Sequence, residues 1–509
     1  MDQDYLKTKN YEADSGSLLA LTNQSLHAIK EKIVNTTTFA PLVLLAKKTI
    51  VSLLSKIEHG RIHMHTKQES WTFGGQCTTK AHGEQEEEEV SIQVLSDAFW
   101  IRMFLLSDMG FAEAYMVGDI RVDRLDALFK IFIRNRAHVS EMSMLASSLF
   151  GALNRLMNSR FINSVSNTLS NISAHYDISN DMFRAFLSND MTYSCAYFTP
   201  DLGGINGDLK AIKLEGEGVQ EEEEEEEEED DDDDEDGDDG KKEEDPLELA
   251  QYAKLDLIIE KARIRKGDRV LEIGSGWGSL AIRAVERTGC TVDTITLSVE
   301  QKRLAEKRIS AAGLKDKIIV HLMDYRDIPR SFERPFDRVV SVEMLESVGI
   351  QFLIPFFNTL HRSLHPLHGI AVFQVITIPE SRFDRYVKEV DFIRKWIFPG
   401  GVLPSVTALT NAITQGSENG QLVIDSVQNI GPHYARTLRE WERRFIRNFD
   451  QIIAPCLLTT YPELDRNPHR VEIFKRKWIY YFEYCAAGFD ARVLGDHIFT
   501  LTREGNLTL

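Results

Sequence analysis

The sequence predicts an α/β fold with a doubly wound, mostly parallel sheet, preceded by a smaller α+β domain. After Pro246, strand-like and helix-like segments alternate, beginning with RVLEI, SLAIRAVERT, TVDTITL and SVEQKRLAEKRISAA. This alternation is typical of βαβ units, which build parallel sheets. A glycine-rich turn, Gly274 to Gly278, joins the first of these strands to its helix. Because such sheets bind ligands at the carboxyl ends of their strands, we expect the functional site at these turns.

The chain before this region divides by composition. Residues 1–25 are polar and are predicted to be loose. Residues 26–140 predict the small α+β domain, with a helix over 26–60, two short strands, and then strand, helix, helix, strand and helix. Residues 141–191 predict a helical connector that covers the active site, and residues 192–509 form the α/β domain.

One acidic tract dominates the net charge of −20. Residues 221–245 hold 21 acidic groups and two lysines, which leaves the remaining chain nearly neutral. Such a tract cannot bury enough apolar area to become ordered, so we predict a disordered insertion at about 216–245. The chain has no basic stripe, and the tract would repel phosphates. We therefore expect no nucleic-acid partner.

Cysteines and hydropathy point to the cytoplasm. Five scattered cysteines without a CxxC pair argue against a disulfide framework and against a metal site. The most apolar early stretch, residues 39–57, is interrupted by Lys47 and Lys48. The start of the chain lacks the pattern of a signal peptide. We predict a cytoplasmic protein whose contact with a membrane is peripheral.

The segment VLEIGSGWG, Val270 to Gly278, carries the sharpest chemical signal. Its glycines allow a tight turn and a close ligand approach, but their spacing is GxGxG, not the GxGxxG of a dinucleotide site. Glu272 precedes the first glycine by two residues, and its carboxylate favours a cationic ligand. S-adenosylmethionine carries both a sulfonium and an ammonium group. The alternative is a purely structural turn between a strand and a helix.

The next two turns add candidate contacts to that donor. Thr296 ends the second strand, where a ribose would bind. Ser298 and Gln301 in TLSVEQ also fit a helix capping box. In MDYRDIP, Asp324 is a candidate for the adenine amino group and Tyr325 for stacking on the ring.

Together with longer segments, these motifs resemble the cyclopropane-fatty-acyl-phospholipid synthase family, which includes the mycolic acid cyclopropane synthases. The resemblance rests on residues 175–198 with YSCAYF, residues 247–278 with GSGWG, TLSVEQ, residues 336–349, 398–405 and 475–489, and GFAEAYMVGD upstream. It implies an S-adenosylmethionine-dependent methyltransferase with a seven-stranded Rossmann-like sheet. It also implies that the amino-terminal domain is associated with lipid.

The resemblance implies a reaction as well. A methyl group passes from S-adenosylmethionine to a cis double bond of an unsaturated phospholipid acyl chain in a membrane surface. A carbocation forms, and a base removes a proton so that a cyclopropane ring closes. In this family the implied base is a bound bicarbonate, because a small anion stabilises positive charge and accepts a proton.

Site residues follow from the resemblance by position. The backbones of Cys195 and Ile376 and the side chain of Glu346 would hold the anion. Gln374 stands where the bacterial enzymes have a histidine, and Tyr176 is a candidate pocket wall. The implied donor contacts share the strand-end turns and the YSCAYF segment: Tyr193, Ser194, Glu272, Gly274, Ser275, Gly276, Trp277, Gly278, Thr296, Leu297, Gln301, Asp324 and Tyr325.

One departure concerns a tyrosine that the family has in its WYERF segment. In this chain the matching position is Glu442, whose charge would repel bicarbonate unless Arg443 or Arg444 neutralised it. Tyr434 or Tyr480 could supply the phenol instead. This difference leaves methyl transfer as the expected reaction and puts ring closure in question.

Several alternatives stay open at this point. The product could be a methyl-branched or methylene chain, or the substrate could be a sphingoid base or a small amine. A lipid-binding relative without catalysis belongs to a different class. The helical stretch from Met142 to Leu169 could lie in a membrane interface or pack between domains. The oligomeric state is open between a monomer and a homodimer.

Overall fold

The structure, a computed structural model, describes residues 40–75, 88–137, 179–210 and 244–507. Its strands are β1 (Arg61–His65), β2 (Ser70–Phe73), β3 (Glu89–Val94), β4 (Ile120–Val122), β5 (Arg269–Ile273), β6 (Thr291–Thr296), β7 (Ile318–Leu322), β8 (Arg338–Val342), β9 (Ile370–Thr377), β10 (Leu422–Asn429) and β11 (Gly495–Arg503).

The α-helices of the described residues surround two sheets. They are α1 (Ala40–Leu54), α2 (Ala98–Val117), α3 (Leu125–Arg134), α4 (Asn180–Phe186), α5 (Pro246–Lys261), α6 (Ser279–Thr288), α7 (Val299–Ala311), α8 (Ile328–Ser331), α9 (Leu353–Ser363), α10 (Glu380–Lys388), α11 (Phe392–Trp396), α12 (Val406–Gly416), α13 (Gly431–Asn448), α14 (Ala454–Thr460) and α15 (Pro468–Asp490).

The larger sheet has seven strands in the order β10-β11-β9-β8-β5-β6-β7. Strands β5 to β9 pair in parallel, whereas β11 runs antiparallel to both β9 and β10. Apolar cores lie under helices on both faces, as expected for parallel strands that are buried on both sides. The predicted fold class, a doubly wound and mostly parallel seven-stranded sheet, is confirmed.

The strand ends that matter for function lie at one edge of this sheet. The carboxyl ends of β5, β6, β8 and β9 lie there because these strands are parallel. The antiparallel β11 begins at the same edge, where Asp496 pairs with Ile376 of β9. Side chains from strands far apart in sequence therefore meet at this edge.

The smaller sheet has the order β2-β1-β3-β4. Strand β1 pairs antiparallel with β2 and parallel with β3, and β3 pairs antiparallel with β4. The segment predicted as two helices after β3 is α2, which is broken by non-helical backbone at Ser107 (φ 54°). Gly110 allows the break, because a Cβ there would lie 2.0 Å from the carbonyl oxygen of Arg102.

Helix α15 joins the two sheets. Its Tyr480 ring packs edge-on against Phe129 of α3, with centroids 5.1 Å apart. Next to it, Lys395 Nζ donates a hydrogen bond to the buried carboxylate of Glu113 at 2.8 Å. The two sheets consequently share one apolar core.

Several predictions fall outside the described residues: the loose segment 1–25, most of the connector 141–191, the stretch from Met142 to Leu169, and the insertion up to residue 243. The domain boundaries stay predictions. Within the described ranges, no helix is both long and apolar enough to span a bilayer.

Candidate active site

The glycine turn after β5 has the backbone that a close ligand approach requires. Gly274 and Gly276 have φ values of 100° and 49°, and both Gly274 and Ser275 donate their N–H groups to the carbonyl of Ile295. No described atom lies within 4 Å of a Cβ placed on Gly276, so this side of the turn is open. At Gly278, by contrast, a Cβ would lie 3.3 Å from Ala305, which lets α7 pack closely.

Glu272 brings a buried carboxyl group to this turn. The residue is 3% exposed, and no described residue hydrogen-bonds its Oε2 atom. Burial raises its pKa to about 8. An unpartnered buried acceptor is costly, and a cationic ligand would both pair with the oxygen and favour its charged form. The residues therefore fit S-adenosylmethionine, whose ammonium group is such a ligand.

The neighbouring turn is organised by hydroxyl groups. Ser275 Oγ accepts a hydrogen bond from Thr294 at 2.7 Å. Thr296 donates to Gln301 Oε1 at 2.8 Å, and Ser298 Oγ accepts from the Gln301 N–H at 3.2 Å. Ser298 therefore caps the helix as predicted, but the reciprocal half of the capping box is absent, because the Ser298 N–H donates to Thr296 Oγ1 and Gln301 Oε1 accepts from Thr296 instead. Leu297 is 72% exposed, so its side chain adds little to an enclosed site.

The third turn places its acid next to a cation. Arg326 donates to both carboxylate oxygens of Asp324, at 2.8 and 2.7 Å, and these hydrogen bonds lower the pKa of Asp324. Tyr325 packs edge-on against Phe356, with centroids 5.3 Å apart. Their assignment to the adenine ring stays a prediction.

Aromatic side chains line the region between the glycine turn and α4. Trp277 Nε1 donates to Asn180 Oδ1 at 2.8 Å, and its ring lies 5.0 Å from Phe183. Tyr193 packs 5.1 Å from Phe183, and its hydroxyl lies 3.1 Å from that of Tyr481. Tyr176, the predicted pocket wall, lies outside the described residues.

Lys254 on α5 is a functional candidate that the sequence did not reveal. It is fully buried, and its Nζ donates to Ser194 Oγ at 2.6 Å. Burial lowers its pKa, and the charges of Glu343 and Asp190 oppose that shift. Lys254 also interacts electrostatically with Glu272, so it connects the glycine turn to the carboxyl groups beyond β8.

Those carboxyl groups form a cluster at the edge where β8, β9 and β11 meet. It consists of Glu343, Glu346 and Asp496, with Gln374 between them. Gln374 Nε2 donates to Glu343 Oε1 at 2.8 Å and to Asp496 Oδ2 at 2.7 Å. Burial raises the pKa of each carboxyl group, that of Glu346 to about 8. Within the described part of the chain, no group of three His, Cys, Asp or Glu residues is arranged to hold a metal ion.

The residues expected to hold bicarbonate converge on this cluster. The N–H of Cys195 donates to Glu343 Oε1 at 2.8 Å, and the N–H of Ile376 donates to Glu346 Oε1 at 2.6 Å. With Gln374 also bound, these donors are already engaged by the protein's own carboxyl groups. The arrangement therefore does not fit an added bicarbonate.

Glu442, the position matched to the family's tyrosine, has charged neighbours other than those of the carboxyl cluster. The pKa of Glu442 is raised to about 9 by burial and by the charge of Glu483, and its charged neighbours are Glu483, Asp126 and Arg443. Tyr434, eight residues earlier on α13, instead donates its hydroxyl to Glu343 Oε2 at 2.7 Å. Eight residues of helix span about 12 Å, so the two positions cannot exchange roles.

Glu343 and Asp496 are also residues that sequence reasoning missed. Glu343 directly follows β8, at the same sheet edge as Glu272, and this acid at a strand end was the available signal. Asp496 gave no comparable signal because β11 was not predicted.

The sequence of this chain is similar to the sequences of known enzymes. The family model described as mycolic acid cyclopropane synthetase matches residues 163–212 and 240–497. The chain is 32% identical over 403 residues to the cyclopropane-fatty-acyl-phospholipid synthase of Escherichia coli, covering 79% of this chain and 85% of that protein. The chain belongs to the mycolic acid cyclopropane synthetase family. This confirms the predicted family and the predicted class of S-adenosylmethionine-dependent methyltransferase.

Other similar proteins differ in coverage. The tuberculostearic acid methyltransferase UfaA1 of Mycobacterium tuberculosis is 37% identical over 335 residues, covering 66% of this chain. The chain spans 65% of the length of that relative. Among solved structures, the cyclopropane synthase MmaA2 from Mycobacterium tuberculosis is 26% identical, with a TM-score of 0.47 over 65% of this chain and 97% of that one.

Proposed function

We propose that this protein transfers the methyl carbon of S-adenosylmethionine to the cis double bond of an unsaturated phospholipid acyl chain and forms a cyclopropane fatty acid. The observation that carries the proposal is the similarity to the Escherichia coli cyclopropane-fatty-acyl-phospholipid synthase, which the chain matches over 85% of that enzyme's length. The geometry supports it because a cation-binding turn and a carboxyl cluster lie at one sheet edge.

Residues of the glycine turn and residues of the carboxyl cluster would have different roles in the reaction. When bound, S-adenosylmethionine supplies a methyl group on a sulfonium cation. Glu272 would pair with the donor's ammonium group through its free Oε2. The donor would approach the open side of the turn at Gly276. The carboxylate of Glu343 would face the positive charge that methylation creates on the acyl chain, where fixed negative charge lowers the barrier.

Contact with a membrane surface is part of the proposal. Helix α10 and the segment after it follow the carboxyl end of β9 and expose Val387 and Val390, which are close in sequence to Lys388 and to Arg385, the latter paired with Glu389. Farther along the segment, Phe398 is also exposed. Apolar side chains beside cations suit the interface of an anionic bilayer. We therefore propose a cytoplasmic enzyme that binds the phospholipid surface peripherally through this segment.

Vesicle binding tests the membrane part with a matched pair of variants. Val390→Asp should reduce flotation with vesicles of anionic monounsaturated phospholipid. Leu367→Asp introduces the same charge at a similarly exposed leucine near the amino end of β9, on the opposite edge of the sheet, and should leave flotation unchanged. Equal flotation of both variants with the wild type would remove this segment from the proposal.

Turnover on vesicles tests the reaction itself. The assay supplies labelled S-adenosylmethionine and vesicles of a monounsaturated phospholipid, followed by mass spectrometry and proton NMR. The expected product has acyl chains heavier by one CH2 and shows upfield ring protons. Donor binding without any label in lipid would reject the proposal.

A methylated chain without a ring is the second candidate. It is favoured by the 37% identical relative, which is named a methyltransferase and not a cyclopropane synthase. The same assay separates the two, because this product gains the mass without the ring protons.

A further inference from the structure

Three hydrogen bonds place the carboxylate of Glu343 where an anion was expected. Oε1 accepts from the Cys195 N–H and from Gln374 Nε2, both at 2.8 Å, and Oε2 accepts from the Tyr434 hydroxyl at 2.7 Å. Cys195 and Gln374 are two of the expected bicarbonate contacts, and Tyr434 supplies the phenol that the family has. A side chain of this protein therefore fills an anion position formed by those donors.

The backbone at Glu343 is unusual for a glutamate. Its φ of 46° lies in the left-handed region, which non-glycine residues rarely adopt and which costs about 1–3 kcal/mol. The Glu343 N–H donates to the carbonyl of Gln374 at 2.8 Å, which fixes this conformation. Backbone strain of this kind is concentrated at functional sites, and glycine would adopt the same conformation freely.

The surrounding charges favour ionisation at this position. The titratable groups that interact with Glu343 are Tyr193, Cys195, Lys254, Glu346, Tyr434, Tyr481 and Asp496. Close carboxyl groups cannot all ionise, so the one with the most donors keeps the charge. That group is Glu343. Burial and the charge of Glu343 raise the pKa of Asp496 and of Glu346, which keeps both protonated, while the charge of Lys254 offsets that of Glu343.

Glu343 is also placed to meet a substrate. The residue is partly exposed, whereas Gln374 and Asp496 behind it are fully buried. Burial raises the pKa of Glu343, although hydrogen bonds with the Cys195 N–H, Tyr434 and Asp496 and the charge of Lys254 oppose the shift. A carboxylate in such surroundings accepts a proton more readily than an exposed one.

We propose that Glu343 is the catalytic base of this enzyme, in the place that bicarbonate takes in the resemblance. The proposal rests on the proposed function. Methylation of the double bond leaves a carbocation on the acyl chain. A carboxylate oxygen of Glu343 takes one proton from the added methyl group, and the electron pair of that C–H bond forms the second new C–C bond and closes the ring. Glu343 becomes a neutral carboxylic acid, which later releases its proton to solvent.

The same hydrogen bonds explain why the carbocation would not alkylate this base. Both oxygens of Glu343 are engaged by donors, which lowers their nucleophilicity and holds them at a fixed distance. Ester formation needs an oxygen to move to bonding distance of carbon, whereas a proton transfers along an existing contact.

The test measures turnover on monounsaturated phospholipid vesicles in CO2-free buffer, with and without added bicarbonate. The wild type should turn over equally in both. Glu343→Gly frees the donors without backbone strain, and it should lose at least 100-fold in CO2-free buffer and recover with bicarbonate. Glu343→Gln keeps the volume but cannot accept the proton, and it should stay inactive in both.

A control uses Glu418, an exposed glutamate that also has a positive φ, 51°. Glu418→Gly makes the same substitution in the same backbone region away from the cluster, and its turnover should equal that of the wild type in both buffers. Donor binding, measured by calorimetry, should stay within threefold in all variants and so reports that they are folded.

The outcomes separate this inference from the proposed function. Wild-type turnover that requires bicarbonate would overturn the assignment of Glu343, and so would full activity of Glu343→Gln. Absence of any lipid product from the wild type in either buffer would instead reject the proposed function.

Discussion

The two halves of the site are built in different ways. The donor half lies in one short stretch, where Glu272 and the glycine turn are at most six residues apart. The base half assembles Cys195, Glu343, Gln374, Tyr434 and Asp496 from five distant segments. A local motif leaves a pattern that can be recognised in the sequence, whereas an assembly across strands becomes apparent only in the fold.

The largest expected effect concerns the donor half. Glu272→Gln should weaken S-adenosylmethionine binding by about 150- to 5000-fold at pH 8, because breaking a buried charge pair costs about 3–5 kcal/mol. Titration calorimetry measures it. Glu300→Gln, an exposed acid on α7 that pairs with Arg303, serves as the control and should bind as the wild type does. A change of less than threefold in Glu272→Gln would remove Glu272 from the donor site.

The next largest effect concerns catalysis by the base half of the site. Tyr434→Phe removes one hydrogen bond to the Glu343 carboxylate and should lower kcat by about 10- to 100-fold, since hydrogen bonds to charged groups contribute about 1.5–3 kcal/mol. The KM for the donor should not change. Vesicle turnover measures both constants. Glu442→Gln should leave them as in the wild type, and the opposite ranking of the two variants would restore Glu442 to the anion site.

The pH dependence of donor binding is specific to the donor half of the site. Because the pKa of Glu272 is raised to about 8, its carboxyl group is mostly protonated below that pH and gains charge as the pH rises. The donor Kd should therefore fall about tenfold per pH unit between pH 6 and 7.5. Glu272→Gln should lose this slope while retaining any titration of the donor itself. Parallel slopes in both proteins would contradict the assigned pKa.

The smallest effect concerns support for the glycine turn. Ser275→Ala removes the hydrogen bond from Thr294 and should lower the free energy of unfolding by about 0.5–1.5 kcal/mol. Urea unfolding measures this change. Donor affinity should stay within threefold, and a much larger loss of affinity would show that Ser275 contacts the donor directly.

These differences also explain what the sequence could predict. Strands β5 to β9 alternate with helices and are strongly apolar, so pattern reasoning located them and the turns between them. Strands β10 and β11 follow a long helical region without that alternation, and they were missed. Asp496 was missed with β11, although its antiparallel direction places it at the active edge.

Other residues were missed for lack of a local signal. Lys254 lies within the regular helix α5, where a lysine ordinarily reads as solvent-exposed, yet tertiary packing buries it completely. Glu442 was matched to the family's tyrosine by its position beside a tryptophan, whereas the hydrogen bond to Glu343 shows that Tyr434 presents a phenol to the carboxyl cluster. The donor motifs, in contrast, lie together at the strand ends because sequence neighbours are also spatial neighbours there, and their contacts with the donor stay predictions.

The positive φ at Glu343 has a consequence for how such enzymes change over generations. The codons for glutamate, GAA and GAG, differ from the glycine codons GGA and GGG by a single base. The backbone at residue 343 already has a conformation that glycine adopts without cost. One point mutation could therefore exchange a base encoded in the gene for one taken from dissolved carbon dioxide, with no other change to the fold.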